Sequence, residues 1–248
     1  ADDCYEFQAL ETLWNLREQS GADAAACGLT YLYPNGEQSV QSQLPAGIYG
    51  REELREKLIN PLTGDRLTQP VFNGYSVCYL FSAELIRKAR LTFDGPYLED
   101  ELFVLEYFCN AHSLAVTEQP LYRYFLHPES ATHHYMEHFS QVFSRFMERK
   151  EALVAKYSLE AARPQWRESS NWAGLLIAVG NEYARDNPKS IRQRQKAVQE
   201  FCRRPEMEKA IRELVPVGLS PNKQMVANLV RGKHFFTLTQ LYRLKNRI

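Results

Sequence analysis

The sequence has few of the features that mark disulfide-rich or membrane-embedded proteins. Its five cysteines are widely spaced, and none forms the C-x-x-C pair that is typical of zinc or thiol redox sites. The longest strongly apolar run covers 9 residues, from Trp172 to Gly180, whereas a helix needs about 20 to cross a bilayer. We therefore expect reduced thiols, no disulfide scaffold and no membrane-spanning segment.

The chain also lacks a net charge, because 30 lysines and arginines balance 30 aspartates and glutamates. This balance conceals an uneven distribution. Residues 189–248 contain 14 basic and 4 acidic side chains, which leaves 16 and 26 for residues 1–188, and no acidic residue follows Glu213. A basic segment of this kind is attracted to an anionic partner, either a membrane surface or a nucleic acid.

Hydrophobic periodicity predicts an α/β fold up to about residue 132 and helices alone after it. Apolar residues recur at helical spacing from Phe7 to Leu16, and the run from Ala22 to Tyr33 is typical of a strand that ends at a turn. Beyond the α/β part the apolar pattern is almost entirely helical. We therefore predict two domains, residues 1–132 and 133–248.

Two dense acidic clusters stand directly before helical segments: Asp2-Asp3 and Glu99-Asp100-Glu101. Acidic side chains in the first turn of a helix interact favourably with its positive end, which accounts for such clusters without any further function. Alternatively, one cluster binds a hard divalent cation through carboxylate oxygens, completed by substrate phosphates. The other cluster then supplies a general base for an attacking hydroxyl.

Four segments favour the second interpretation by their order and spacing. They are A-D-D-C-Y-E-F-Q-A-L-E-T-L at the start, G-Y-S-V-C-Y-L-F-S-A-E-L-I from residue 74, Y-L-E-D-E-L-F from residue 97 and L-Y-R-Y-F-L-H-P-E-S-A-T from residue 121. Together they resemble the segments around the Asp-x-Asp and Glu-Asp motifs of family 2 glycosyltransferases. The resemblance implies an incomplete GT-A (Rossmann-like) nucleotide-sugar transferase domain, followed by an all-α C-terminal region.

The resemblance assigns a role to each acidic cluster. Asp2 matches the second acid of Asp-x-Asp, which binds Mg²⁺ or Mn²⁺ on the donor diphosphate, and Asp3 supports it. Asp100 matches the catalytic base, and Glu99 is its motif neighbour. The implied reaction is an inverting transfer from a nucleotide-sugar donor to a glycan or lipid-linked saccharide acceptor, as in the synthesis of bacterial surface polysaccharides.

The sequence departs from the family at two places. Phe125 replaces the arginine that follows Tyr-x-Tyr in the family, which leaves Arg123 or His127 to contact the donor diphosphate. The first Asp of Asp-x-Asp, and about 90 residues that would bind the nucleoside, would precede Ala1. We therefore expect residues 1–248 to be part of a longer protein and to be inactive by themselves.

The C-terminal segment combines apolar residues with basic ones, which predicts an amphipathic element on anionic lipid. A solvated basic face and a non-catalytic module that docks on a membrane or a protein remain the alternatives, whereas no motif indicates a nucleic-acid partner. With the resemblance, this predicts a cytoplasmic protein that is peripheral at the inner face of the cell membrane. The basic residues concerned are Lys223, Arg231, Lys233, Arg243, Lys245 and Arg247.

Overall fold

The computed structural model describes residues 3–42, 44–64, 74–95, 98–126 and 134–246. The chain forms two compact units, each with its own core. The first contains residues 1–63, 71–128 and 152–157, and the second contains residues 64–70, 129–151 and 158–248.

A mixed sheet organises the first unit and confirms the predicted α/β class. Among the described residues its strands are β1 (Cys4–Tyr5), β2 (Ala24–Leu32), β3 (Gln38–Gln41), β4 (Gly47–Tyr49), β5 (Tyr79–Phe81) and β6 (Leu114–Phe125). The long strands β2 and β6 are parallel and central. Strands β5 and β3 pair antiparallel with successive halves of β2, and β4 and β1 do the same with β6.

The sheet changes register where Gly28 of β2 lies opposite Pro120 of β6. A Cβ atom on Gly28 would lie 3.0 Å from the carbonyl oxygen of Glu118 and 3.1 Å from that of Gln41. Glycine is therefore needed for the close approach of three strand backbones, and proline is tolerated because a bulge interrupts the ladder there.

Helices of the first unit are α1 (Ala9–Ser20), α2 (Arg51–Leu54), α4 (Ala83–Ala89) and α5 (Glu99–Asn110). A π-helical turn (Arg55–Ile59) joins α2 to α3 (Asn60–Gly64), and a 3₁₀ turn (Ser76–Cys78) leads into β5. The first helix buries Ala9 and Leu13, while Leu10 and Trp14 are exposed. Its sequence predicted an amphipathic helix, but the buried stripe is narrower than the apolar one.

Helix α5 is held at its C-terminal end and along its length, and this fixes where its first turn lies. The guanidinium of Arg51 donates hydrogen bonds to the carbonyl oxygens of Phe108, Cys109 and Ala111, which helix geometry leaves without intrahelical partners. In the middle of the helix, the hydroxyl of Tyr107 donates to the carbonyl oxygen of Asp23 and accepts from the backbone N–H of Ser82. Both contacts span distant parts of the sequence, so the helix position is set by tertiary structure.

The described part of the second unit is built from helices, in agreement with the helical periodicity after residue 132. They are α6 (Phe139–Lys156), whose end belongs to the first unit, α7 (Trp166–Glu182), α8 (Ile191–Cys202), α9 (Pro205–Glu213), α10 (Pro221–Arg231) and α11 (Phe235–Asn246), with a 3₁₀ turn (Glu160–Ala162) before α7. Trp172 of α7 is completely buried, and its indole contacts the end of α9. Among the described residues, no helix combines the length and the apolar character that crossing a bilayer requires.

Candidate active site

The acidic cluster at residues 99–101 lies in the first turn of α5, as the sequence predicts. Leu98, directly before it, has a left-handed backbone with φ of 53° and makes no side-chain cap. This conformation is uncommon for a bulky residue and costs about 1–2 kcal/mol. Such strain is often found at functional sites. The backbone geometry therefore makes the turn that carries Glu99 and Asp100 a candidate site.

The carboxyl group of Asp100 is half-buried and accepts a hydrogen bond from the hydroxyl of Ser76, with 2.5 Å between Oγ and Oδ1. Burial raises its pKa above the usual range, the Ser76 hydrogen bond opposes that rise, and the charge of Glu99 adds to it. An acid that only stabilises a helix terminus has its pKa lowered by the helix dipole. Asp100 therefore differs from an exposed first-turn acid, because burial outweighs the effects that lower its pKa.

Asp3 belongs to the same unit and is held by strand β6. Its carboxylate accepts a hydrogen bond from the backbone N–H of Phe125 at 2.9 Å and another from the hydroxyl of Tyr122 at 3.1 Å. Burial and, to a smaller extent, the charge of Asp3 raise the pKa of the Tyr122 phenol. Both carboxylate oxygens of Asp3 are therefore held in place beside β6.

The strand that follows Asp3 contacts the turn that holds Asp100. The hydroxyl of Tyr5, two residues after Asp3, donates to the carbonyl oxygen of Val77 at 2.7 Å. Val77 is adjacent to Ser76, which binds Asp100. Two acidic clusters almost 100 residues apart in sequence are thus joined through one tyrosine and one short turn.

A group of tyrosines reinforces this junction. The rings of Tyr75 and Tyr124 stack with centroids 5.9 Å apart and an interplanar angle of 12°, and Tyr31 packs edge-on against Tyr124. Two residues before Tyr124 on β6, Tyr122 packs edge-on against Tyr5. The sequence did not identify Ser76, Tyr75 or Tyr5 as site residues, although all three fall in segments that carry the resemblance.

The structure gives less support to Arg123 and His127 as contacts for the donor diphosphate than it gives to Asp100 as a base. Arg123 alternates with Tyr122 and Tyr124 along β6 and therefore points to the opposite face of the strand. Its guanidinium forms an exposed ion pair with Glu6, with 2.5 Å between Nε and Oε1. His127 lies outside the described residues.

The described residues do not by themselves form a metal site. Within the described ranges, no group of three or more His, Cys, Asp or Glu side chains is close enough to hold a metal ion. Asp2, the residue assigned to the metal by resemblance, lies outside those ranges, and both oxygens of Asp3 already accept hydrogen bonds from β6. Asp3 fits a supporting role, so a metal would depend on Asp2 together with substrate phosphates, an arrangement that Mg²⁺ commonly adopts.

Two histidines of the second unit, His134 and His138, have acidic neighbours in the described structure. His134 Nδ1 lies 2.9 Å from Asp186 Oδ2, and His138 Nε2 lies 3.9 Å from Glu137 Oε2. The contact with His134 lowers the pKa of Asp186. The two residues are therefore in polar surface contacts rather than in a described metal cluster.

The basic residues predicted to meet a membrane are all exposed where the structure describes them. Lys223 lies near the start of α10, Arg231 at its end and Lys233 in the turn before α11, while Arg243 and Lys245 lie in the last turn of α11. Arg247 lies outside the described residues.

Comparison with known proteins gives no independent evidence on the function. No protein-family model matches the chain, and no curated protein is similar to it at a significant level.

Proposed function

We propose that the protein is a nucleotide-sugar-dependent glycosyltransferase with a GT-A type catalytic domain. The observation that carries the proposal is the half-buried Asp100, whose orientation is held by Ser76 and whose pKa is raised. The Ser76 turn is bonded to Tyr5, two residues after Asp3, whose carboxylate is held by β6. Helix α5 mounts this carboxylate rigidly, and a rigid mount is what a general base needs to meet a hydroxyl in productive geometry.

In the proposed reaction, Asp100 removes the proton from an acceptor hydroxyl as the hydroxyl oxygen attacks the anomeric carbon of the donor sugar. Within the described residues, Ser76 binds only Oδ1 of this carboxylate, which leaves Oδ2 to accept the proton. A single displacement of this kind inverts the configuration at the anomeric carbon. Mg²⁺ or Mn²⁺, held by Asp2 and the donor phosphates, would stabilise the leaving nucleoside diphosphate.

The acceptor in this proposal is a hydroxyl of a glycan or of a lipid-linked saccharide in surface-polysaccharide synthesis. The described cysteines are free thiols and four of the five are buried, which agrees with a reducing compartment. With the basic C-terminal surface, this supports a cytoplasmic enzyme at the inner face of the cell membrane.

The proposal is tested by incubating the full-length protein with UDP-, GDP- and dTDP-linked sugars and Mn²⁺ or Mg²⁺. We expect one donor class to release its nucleoside diphosphate, and EDTA to abolish the release. Binding of the donors is measured in parallel by isothermal titration calorimetry. If no donor class is bound or turned over by the full-length protein, the glycosyltransferase proposal is wrong.

Two neighbours of Asp100 are expected to shift the pH dependence of transfer in opposite directions. Ser76→Ala removes the hydrogen bond that lowers the pKa of Asp100, so the acidic limb of kcat/KM should move to higher pH. Glu99→Gln removes a negative charge that raises this pKa, so the limb should move to lower pH. The measurement is the pH profile of kcat/KM for each variant.

Glu84→Gln is the matched control, because Glu84 is also an acid in the first turn of a helix but is exposed on α4. Its profile should coincide with that of the wild type. Shifts in the same direction for Ser76→Ala and Glu99→Gln would show that the limb does not report Asp100.

A further inference from the structure

Helix α11 presents an exposed face that its own unit does not cover. Phe236, Thr237, Gln240, Arg243 and Leu244 are spaced i, i+1, i+4, i+7 and i+8, which places them on one side of the helix. Leu238 and Thr239 on the other side are buried. We call the five residues the outer face of α11.

Two large apolar side chains lie on this outer face. Phe236 is 69% exposed and Leu244 is 82% exposed, and they are separated by about two helical turns, or about 12 Å. A single exposed apolar residue is ordinary on a protein surface. Two of them on one helix face, bordered by cations, form the pattern of a helix that lies in a membrane interface.

Basic residues surround both ends of the outer face. Arg231 and Lys233 precede α11, and Arg243 and Lys245 lie in its last turn. Within the part of the chain that the structure describes, none of these four side chains forms an ion pair with a carboxylate. Because no acidic residue follows Glu213, neither α10 nor α11 supplies a carboxylate to neutralise them.

Lys233 is exposed, and its backbone adopts a conformation that glycine accommodates more easily than lysine. Lys233 has a left-handed conformation with φ of 57°, and its N–H donates to the carbonyl oxygen of Val230 at the end of α10. Glycine is the residue that this position of a helix end favours. Replacing Lys233 with Gly should therefore remove the charge without disturbing the fold.

We propose that the outer face of α11, with the turn before it, docks on an anionic lipid bilayer. Phe236 and Leu244 enter the boundary between head groups and acyl chains, and the four cations contact the anionic head groups. Complementary charge selects the anionic surface. The aliphatic Leu244 beside a single aromatic residue suits lipid better than a nucleic-acid strand, which is bound by several stacking aromatics in a basic groove.

Vesicle flotation tests this proposal and does not require transfer activity. Wild-type protein should float with vesicles of phosphatidylcholine and phosphatidylglycerol, float much less with phosphatidylcholine alone, and be released by salt. Replacing both Lys233 with Gly and Arg243 with Gln should weaken binding about fivefold for each cation removed. Phe236→Ser together with Leu244→Ser should also weaken it, with the charge unchanged.

Arg192→Gln with Lys196→Gln is the matched control, since it removes two exposed cations from α8. This variant should bind like the wild type, and circular dichroism should show that every variant retains its helices. Equal binding to neutral vesicles, or wild-type binding by the α11 variants, would overturn the proposal. Binding of duplex DNA as tight as that of anionic vesicles, with the same loss in the α11 variants, would identify the face as a nucleic-acid site instead.

Discussion

The variant Asp100→Asn is expected to lose sugar transfer by about 10²–10⁴-fold in the full-length protein while it still binds the donor. This range is what a positioned general base typically contributes to a rate. Asparagine has the size and shape of aspartate and can still contact Ser76, but it cannot accept the proton of the acceptor hydroxyl. The measurements are the rate of nucleoside diphosphate release with acceptor present and the affinity for the donor by calorimetry.

Thermal unfolding distinguishes loss of the base from loss of the fold. A carboxyl group whose pKa is raised on folding contributes stability that is present below its unfolded pKa and is lost as pH rises through the folded pKa. At pH 7 the buried, charged form of Asp100 therefore disfavours the folded state. Asparagine is neutral and avoids this penalty, so Asp100→Asn should unfold at the wild-type temperature or higher at pH 7. Transfer at the wild-type rate by a folded Asp100→Asn variant would show that another group is the base.

Replacing Trp172 with alanine should produce the largest loss of stability in the second unit, about 3–5 kcal/mol. Trp172 is completely buried in α7, and its indole N–H donates to the carbonyl oxygens of Ala210 and Leu214 at 2.9 and 3.1 Å. Truncation leaves a cavity and removes the hydrogen bonds that close the end of α9. Urea unfolding followed by circular dichroism measures the effect.

Two further variants separate the contributions at this position. Trp172→Phe retains most of the ring but leaves the two carbonyl oxygens without the indole donor, for an expected cost of about 1–3 kcal/mol. Trp14→Ala is the control for loss of an indole, because Trp14 is 53% exposed and its removal should change stability by about 0.5 kcal/mol or less. If Trp172→Ala were as stable as Trp14→Ala, the described packing of α7 against α9 would be wrong.

Periodicity identified helices but not always the side that each helix buries. In α11 the apolar residues cover more than one face, so the sequence pattern does not tell which of them are buried, and the structure shows that Phe236 and Leu244 are exposed. The same occurs in α1, where the small Ala9 is buried while Trp14 is exposed. Burial depends on which neighbouring elements reach a helix, and a local pattern contains no information about those distant neighbours.

The candidate site was also predictable only in part from the sequence. The first turn of α5 could be predicted because acidic residues, turn residues and an apolar helical pattern follow one another over a short stretch. The partner of Asp100 could not, because Ser76 is 24 residues away and is a common residue without a motif of its own. The raised pKa of Asp100 likewise results from burial by the surrounding fold rather than from its sequence neighbours alone.

By itself, the sequence determined the α/β class, the helical C-terminal half, the two acidic clusters and the basic end of the chain, because each is a local pattern of residue types. Only the tertiary structure decided that the Tyr5 hydroxyl joins the strand of Asp3 to the turn that holds Asp100, and that Phe236 and Leu244 face outward among cations. These facts depend on hydrogen bonds and packing between residues far apart in the chain, which form only when the whole unit folds.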